Sequence, residues 1–162
     1  MQCVRFSPCG RYLASSGWDG LVLLWDVASG QQAAALEGHT DRVLGLAWSP
    51  DSRLLASCGY EEDRTVKLWS VDGRTCFATL REHGAAVHNV AFSPNGRVLA
   101  SCGGDGVRLY DVATRVCTAK LEVSPRECAG GLRPALAGLP LALQPSGLIG
   151  TVTLRRGIGI GT

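Results

Sequence analysis

The sequence contains a serine, a histidine and an aspartate of the types that form a hydrolytic triad, at Ser57, His39 and Asp63. The same three types recur farther along the chain, at Ser101, His83 and Asp105. A triad serine must be exposed beside an oxyanion hole, and in many hydrolases it lies in a G-x-S-x-G turn. Ser57 instead lies in the apolar run RLLASCG, without such a turn. Because catalytic groups are not normally duplicated along a chain, hydrolysis is only a distant third hypothesis.

The segments around these residues repeat along the chain. RYLASSGWDGLVLLWDV (11–27) returns as RLLASCGYEEDRTVKLWSV (53–71) and as RVLASCGGDGVRLYDV (97–112). A Ser-Pro pair precedes each copy, and its prolines lie at positions 8, 50 and 94, which are 42 and 44 residues apart. A period in this range predicts a repeat architecture in which each unit is one supersecondary structure.

Each unit predicts four short strands. In the middle unit we expect them at 42–49, 53–59, 65–71 and 75–82. Val66 and Leu68 alternate with Lys67 and Trp69, which is the period-two pattern of a pleated strand. The pair Asp72-Gly73 favours a hairpin before the fourth strand. The sequence therefore predicts an all-β protein of repeated four-stranded antiparallel sheets.

The three units resemble the WD40-repeat family, whose blades of about 40 to 45 residues carry Gly-His near the start and Trp-Asp near the end. In the middle unit, Gly38-His39, Ser57, Asp63 and Trp69 occupy the family's positions. The resemblance implies three blades of a partial β-propeller within residues 1–122, at about 1–38, 39–82 and 83–122.

In the family, the four positions form a structural tie of hydrogen bonds. By this resemblance, His39 would bond Asp63 and Ser57, and Ser57 would accept the indole N–H of Trp69. A buried polar network in which every donor is matched stabilises a fold. The first unit offers Ser15, Asp19 and Trp25, and its histidine would precede residue 1. The third unit offers His83, Ser101, Asp105 and Tyr110, and the tyrosine predicts a weaker tie.

The resemblance also implies a rigid platform that binds other proteins, since the repeat itself carries no chemistry. In the family, partners often sit on the loops that enter each blade and on the tight turns inside it. This predicts a protein-binding face formed by Trp18, Arg42, Leu44, Glu62, His88 and Gly104. We expect an interaction scaffold, or the substrate-recognition platform of a larger assembly, without enzymatic activity. The alternative is a truncated product without binding activity of its own.

Charge and cysteine content limit the other function classes. Residues 1–122 hold 12 basic and 13 acidic side chains. This nearly neutral region lacks the excess of basic residues that is typical of a nucleic-acid-binding protein. The seven cysteines include no C-x-x-C, and Cys58 and Cys102 occupy equivalent places in successive units. We therefore expect free thiols that pack as small hydrophobes, with no metal and no cofactor. No secretory signal opens the sequence, so we expect the cytoplasm, with the nucleus as the alternative.

Residues 123–162 do not continue the repeat. They are rich in Gly, Pro, Leu and Arg, and prolines at 134, 140 and 145 interrupt their most apolar stretch, which disfavours a membrane-spanning helix. We expect an irregular, disordered tail. Three blades are fewer than the four to eight or so that close a propeller, so we also expect open sheet edges, self-association through them, and a longer parent protein.

Overall fold

The computed structural model describes residues 1–121, which form twelve β-strands and no helix. The strands are β1 (Cys3–Phe6), β2 (Tyr12–Ser16), β3 (Val22–Asp26), β4 (Gln32–Leu36), β5 (Val43–Trp48), β6 (Leu54–Gly59), β7 (Val66–Ser70), β8 (Thr75–Leu80), β9 (Val87–Phe92), β10 (Val98–Gly103), β11 (Gly106–Asp111) and β12 (Cys117–Leu121). The predicted tail, residues 123–162, lies outside the described residues and stays a prediction.

The strands form three four-stranded antiparallel sheets, each a simple meander of consecutive strands. The first sheet contains β1 to β4, the second β5 to β8 and the third β9 to β12. This confirms the predicted all-β fold of three WD40-like blades. In the second sheet the strands begin and end within about two residues of the predicted ranges.

The Ser-Pro pairs build the turn between the first two strands of each sheet. Ser49 Oγ donates to Asp51 Oδ1 at 2.6 Å and accepts from the Leu54 backbone N–H at 2.9 Å. In the third sheet, Ser93 Oγ likewise donates to Asn95 Oδ1 at 2.7 Å and accepts from the Val98 backbone N–H at 2.9 Å. The short polar side chain thus satisfies backbone groups that a turn leaves unpaired.

The turn between β7 and β8 differs from the two-residue hairpin that Asp72-Gly73 suggests. Four residues separate the strands, and the left-handed residue is Arg74, with φ 53°, rather than Gly73. The equivalent residues Gly30 and Arg115 have φ 68° and 64°. The strand register also shifts between Leu68 and Trp69. A longer loop that ends in a left-handed residue joins the strands through this bulge, so the glycine is not needed for the turn.

The three sheets stack in chain order, and the second is buried on both faces. Ala14, Val22 and Leu24 of the first sheet pack against Val43, Leu46, Leu55 and Trp69 of the second. On the opposite face, Val66 and Leu68 belong to the core shared with the third sheet. The predicted alternation along β7 is therefore confirmed. Burying one such aliphatic side chain contributes about 1.5–3 kcal/mol, so the contacts between sheets are a major source of stability.

Hydrogen bonds between the first two sheets fix their relative register. Trp48 Nε1 donates to the Arg5 carbonyl at 3.0 Å, and Ser16 Oγ donates to the Val43 carbonyl at 3.0 Å. The Val43 N–H in turn donates to the Gly17 carbonyl at 3.0 Å. These directional bonds supplement the apolar contacts and hold the ends of β2 and β5 together.

Of the six cysteines within residues 1–121, all but one are the free thiols that we predict. Five of them are free, at Cys3, Cys9, Cys58, Cys76 and Cys117. Cys58 and its equivalent Cys102 are both completely buried in their sheets, as expected of small hydrophobes. Cys102 is disulfide-bonded, which its equivalence to Cys58 does not predict.

Candidate functional site

The second sheet brings together all four residues of its predicted tie. His39 Nδ1 lies 3.0 Å from Asp63 Oδ2, and His39 Nε2 lies 2.6 Å from Ser57 Oγ. Ser57 Oγ also accepts the Trp69 indole N–H at 2.7 Å. The side chains of His39 and Asp63 are almost fully buried. The chain of bonds therefore links the segment before β5 to the β6–β7 turn and to both strands that flank it.

Strand register and a glycine position these side chains. Trp69 lies opposite Leu55, so its ring is the diagonal neighbour of Ser57 on the same face of the sheet. A Cβ atom at Gly59 would lie 2.5 Å from the Asp63 carboxyl carbon, so only glycine fits there. Gly17 and Gly103 lie similarly close to Asp19 and Asp105. These glycines were not predicted as part of the tie, although their spacing of 42 and 44 residues repeats with it.

Hydrogen bonds keep Asp63 ionised in its buried position. Burial alone would raise the pKa of Asp63, but hydrogen bonds from His39, Thr65 and the Thr40 backbone hold it well below its ordinary value. The Thr40 N–H donates at 2.7 Å, and the Thr65 N–H at 2.9 Å. The Thr65 hydroxyl donates to the same carboxylate oxygen as its own N–H. Asp63 thus anchors both the entering chain and the turn in which it lies.

The third sheet contains a closely similar arrangement around His83. Its Nδ1 lies 2.6 Å from Asp105 Oδ1, and its Nε2 lies 2.6 Å from Ser101 Oγ. Arg108 adds an ion pair to Asp105 at 2.7 Å that the second sheet lacks at the equivalent Lys67. Burial lowers the pKa of His83 despite the neighbouring carboxylate, which favours a neutral ring.

Tyr110 does not take the place of a tryptophan in the third tie. It is 1% exposed, and within residues 1–121 its hydroxyl has no hydrogen-bond partner of normal geometry. Burial raises the pKa of this hydroxyl. Tyr110 occupies the register position of Trp69, opposite Leu99, but the hydrogen bonds of this predicted set join His83, Ser101 and Asp105 without it.

The first sheet contains a shorter version of the tie. Trp25 Nε1 donates to Ser15 Oγ at 2.9 Å, as Trp69 does to Ser57. Asp19 Oδ1 accepts the Leu21 backbone N–H at 3.2 Å, but no hydrogen bond joins Asp19 to Ser15 within the part of the chain that the structure describes. The predicted residues of this unit therefore form two separate contacts.

The bonds from serine to histidine to aspartate match the connectivity of a hydrolytic triad, but the serines are inaccessible. Ser57 and Ser101 are both 0% exposed, and the hydroxyl of Ser57 is hydrogen-bonded to an indole and an imidazole. A nucleophile must reach its substrate, so this geometry can join strands but cannot present a hydroxyl for attack. Across residues 1–121, no three His, Cys, Asp or Glu side chains are grouped to hold a metal ion. The same residues include no helix able to cross a membrane.

The residues predicted for a protein-binding face lie at one end of the three sheets. Trp18, Glu62 and Gly104 lie in the turns between the second and third strands of their sheets. Arg42 directly precedes β5, and Leu44 and His88 lie at the starts of β5 and β9. In an antiparallel meander, these turns and these strand starts share one end of the blade. Trp18 is 65% exposed, whereas Leu44 and His88 are partly buried.

Stacked side chains connect this end of the molecule across all three sheets. The Arg42 guanidinium carbon lies 4.7 Å from the centre of the Trp18 ring and 5.3 Å from that of Tyr60. The Tyr60 ring lies 6.3 Å from the His88 ring. We call Trp18, Arg42, Tyr60 and His88 the Arg42 cluster. Its fourth member, Tyr60, was missed from the sequence because it lies in a turn that is longer than the equivalent turns of the other units.

Glu62 and Gly104 border the Arg42 cluster without joining it. The exposed Glu62 is held by its backbone N–H, which donates to Asp41 Oδ2 at 3.0 Å. The Gly104 N–H donates to the Ala86 carbonyl at 3.0 Å, and a Cβ atom there would lie 3.2 Å from that of Ala85. These bonds hold the turns of the second and third sheets against the segments that enter them.

Comparison with known proteins gives short regions of similarity to several much longer proteins. A stretch of 55 residues is 46% identical to Coronin-7 of Bos taurus and covers 33% of this chain and 6% of that protein. A stretch of 60 residues is 42% identical to Actin-interacting protein 1 of Drosophila melanogaster and covers 36% of this chain and 10% of that protein. A stretch of 71 residues is 38% identical to WD repeat-containing protein 1 of Gallus gallus and covers 41% of this chain and 11% of that protein.

The sequence profile described as "WD domain, G-beta repeat" matches the chain three times, at residues 1–26, 30–70 and 74–111. The first match covers the first three strands of the first sheet, and each later match begins with the last strand of one sheet and continues through the first three strands of the next. Together the matches cover more than half of the chain. The repeated Ser, Asp and Trp or Tyr positions lie within these matches. The chain belongs to the WD40-repeat family.

Proposed function

We propose that the chain is a protein-interaction scaffold that binds its partner through the Arg42 cluster and the turns around it. The observation that carries this proposal is the position of the Arg42 guanidinium between two aromatic rings, 4.7 and 5.3 Å from their centres. Arginine, tryptophan and tyrosine are the residue types most enriched among the hot spots of protein interfaces. Here the three types occur together on one surface.

The cluster is preorganised for binding. Arg42 and Tyr60 are partly buried, and the Tyr60 and Arg42 segments are joined by a backbone hydrogen bond of 2.9 Å from the Tyr60 N–H to the Arg42 carbonyl. Side chains held in place before binding lose less conformational entropy when a partner arrives. Trp18 leaves 65% of its surface exposed, which a partner would cover. His88 belongs to the cluster, and Leu44, Glu62 and Gly104 extend the proposed surface along the same end of the sheets.

The ties play a structural part in this proposal, and the chain has no enzymatic activity. The complete burial of Ser57 and Ser101 supports a role in joining strands. A serine-directed phosphonate probe checks this directly, since it should leave both residues unmodified under native conditions. Stoichiometric labelling of Ser57 or Ser101 would contradict the structural role and reopen the hydrolase hypothesis.

The proposed partner is another protein. The two would bind in the cytoplasm, as parts of a larger assembly. Actin is the first purified protein to test, because one relative bears the name Actin-interacting protein 1. Co-sedimentation with actin filaments measures this interaction. Since the matched stretch is only 10% of that relative, failure to bind actin would exclude this partner and leave the proposed surface to be tested with others.

A photo-cross-linker at position 18 tests the proposed surface even while the partner is unidentified. The control carries the cross-linker at position 11, because Arg11 is exposed and also lies over an aromatic ring, 5.0 Å from the centre of Tyr12. Arg11 follows the β1–β2 turn, at the opposite end of the first sheet from Trp18. We expect one protein to be cross-linked from position 18 and absent from position 11. The same set of products from both positions would contradict the proposal.

A further inference from the structure

The Arg42 cluster holds its cation in place without using the hydrogen-bond donors of that cation. The Arg42 guanidinium lies over the rings of Trp18 and Tyr60. A cation over an aromatic face is attracted by the charge distribution of the ring, so this contact needs none of the N–H groups. Within residues 1–121, the Arg42 side chain donates no hydrogen bond, and its one ion pair, with Asp41, is 3.9 Å long. The side chain is 44% exposed, so a partner can reach these donors.

The carboxylate of Asp41 is held away from the guanidinium by the backbone. Its distance of 3.9 Å from Arg42 Nε exceeds that of a hydrogen bond. Asp41 Oδ1 accepts the Arg42 backbone N–H at 2.7 Å, and Oδ2 accepts the Glu62 backbone N–H at 3.0 Å. Bonds from the Glu62 and Arg42 backbone hold the pKa of Asp41 below its ordinary value. Asp41 would have to give up a backbone bond to pair with the guanidinium.

Two other arginines on β6–β7 and β10–β11 of the neighbouring turns use their donors inside the protein. Arg64 donates to the carbonyls of Glu61 and Gly84 at 2.6 and 3.1 Å. Arg108 donates to the Asp105 carboxylate at 2.7 Å. Arg42 differs from both because its fixed guanidinium keeps its donors for a group outside residues 1–121.

The chemistry of the guanidinium limits which group this can be. Its planar fork of N–H groups matches the two oxygens of a carboxylate or of a phosphate. Asp41 lies beside it, and the exposed Glu61 and Glu62 lie in the same turn as Tyr60. These carboxylates repel an anion in proportion to its charge, and a phosphate carries about −1.5 to −2 charges. The surroundings therefore favour the singly charged carboxylate.

We propose that Arg42 binds the carboxylate of an aspartate or glutamate side chain of the partner protein. This inference rests on the proposed function, since it assigns the chemistry of the group that the Arg42 cluster recognises. Trp18 leaves 65% of its surface exposed next to the guanidinium. An apolar side chain close to the acidic residue in the partner would cover this ring.

The test is the selection of peptides from a random displayed heptapeptide library on the full chain, on Arg42→Lys and on Arg11→Lys, each first shown by circular dichroism to be folded. Lysine keeps the charge but lacks the planar fork. Arg11 lies over the Tyr12 ring at the opposite end of the first sheet and provides the matched control. We expect Asp or Glu to be enriched at one peptide position on the unaltered chain and on Arg11→Lys, and this enrichment to be absent on Arg42→Lys.

Calorimetric titration of single selected peptides separates this inference from the proposed function. Replacing the enriched acidic residue by its amide, which has the same shape without the charge, should weaken binding to the unaltered chain at least about tenfold. Peptides that tolerate the amide but lose affinity for Trp18→Ala and Arg42→Ala would overturn the carboxylate assignment and leave the proposed surface standing. Peptides that bind these two variants and the unaltered chain equally would overturn both.

A phosphoserine in place of the enriched acidic residue tests the choice between the two anions. We expect the phosphoserine peptide to bind the unaltered chain more weakly than the acidic peptide, because the neighbouring carboxylates repel its larger charge. Tighter binding of the phosphoserine peptide would overturn the carboxylate assignment in favour of a phosphate.

Discussion

Alanine substitutions at Ser57 and at Ser101 provide a matched test of how the ties stabilise the sheets. Both serines are 0% exposed, and each lies between an alanine and a cysteine at the same position of its strand. Ser57 bonds both His39 and Trp69, whereas within residues 1–121 the one hydrogen bond of normal geometry at the Ser101 side chain is with His83. The two substitutions therefore remove the same atoms from equivalent buried positions, but they break two hydrogen bonds in one case and one in the other.

The expected difference follows from the partners that are left without a bond. A buried donor or acceptor that loses its partner costs about 1–3 kcal/mol. Ser57→Ala leaves two such groups, the Trp69 indole N–H and His39 Nε2, and should lower the free energy of unfolding by about 2–6 kcal/mol. Ser101→Ala leaves only His83 Nε2, at about 1–3 kcal/mol. We therefore expect Ser57→Ala to be the more destabilising by about 1–3 kcal/mol.

Urea unfolding followed by far-ultraviolet circular dichroism measures this difference. With a urea dependence of about 1–3 kcal/mol per molar, the midpoint of Ser57→Ala should lie on the order of 1 M below that of Ser101→Ala. Equal midpoints with equal slopes would show that the Trp69 bond contributes nothing, and a lower midpoint for Ser101→Ala would refute the reasoning.

Three further predictions concern single groups. Tyr110→Phe removes a buried hydroxyl that has no partner within residues 1–121, so thermal unfolding should show an unchanged or raised Tm, and a fall of several degrees would contradict this. Burial holds the pKa of His83 in the folded protein below 6.5, so as the pH falls the unfolded chain binds a proton before the folded protein does. The urea midpoint should therefore fall as the pH drops from about 7 through 6.5. The midpoint of His83→Gln should fall less over the same range. The exposed Cys9 has its pKa lowered to about 7 by hydrogen bonds, above all from Ser7, so iodoacetamide at neutral pH should alkylate it well before the buried Cys58, whose pKa burial raises. Ser7→Ala should slow that alkylation, and an unchanged rate would show that the Ser7 bond does not activate the thiol.

The sequence repeat predicts most of the fold. Strand order and the alternation of Val66, Leu68 and Trp69 follow from periodicity, because each face of the second sheet must be apolar to pack between two neighbours. The position of the left-handed residue in the β7–β8 loop does not follow in this way. Arg74 adopts φ 53° because the loop length and the bulge require it, even though Gly73 stands beside it.

The candidate sites depend on contacts that the repeat alone does not specify. Tyr60 joins the Arg42 cluster from a turn whose extra residues have no counterpart in the other units, so no periodicity indicates its position. The failure of Tyr110 to replace an indole depends on the reach of its hydroxyl, which a substitution of one aromatic residue for another does not reveal.

The affinity of the protein cross-linked from position 18 for three forms of the chain tests the scaffold proposal most directly. The forms are the unaltered chain, Arg42→Ala and Arg11→Ala, each first shown by circular dichroism to be folded. Both arginines lie over aromatic rings, at 4.7 Å for Arg42 over Trp18 and 5.0 Å for Arg11 over Tyr12, but at opposite ends of the sheets. A hot-spot residue costs at least about 2 kcal/mol when truncated, so Arg42→Ala should weaken binding more than tenfold while Arg11→Ala leaves it unchanged. Equal affinities for all three forms would contradict the account.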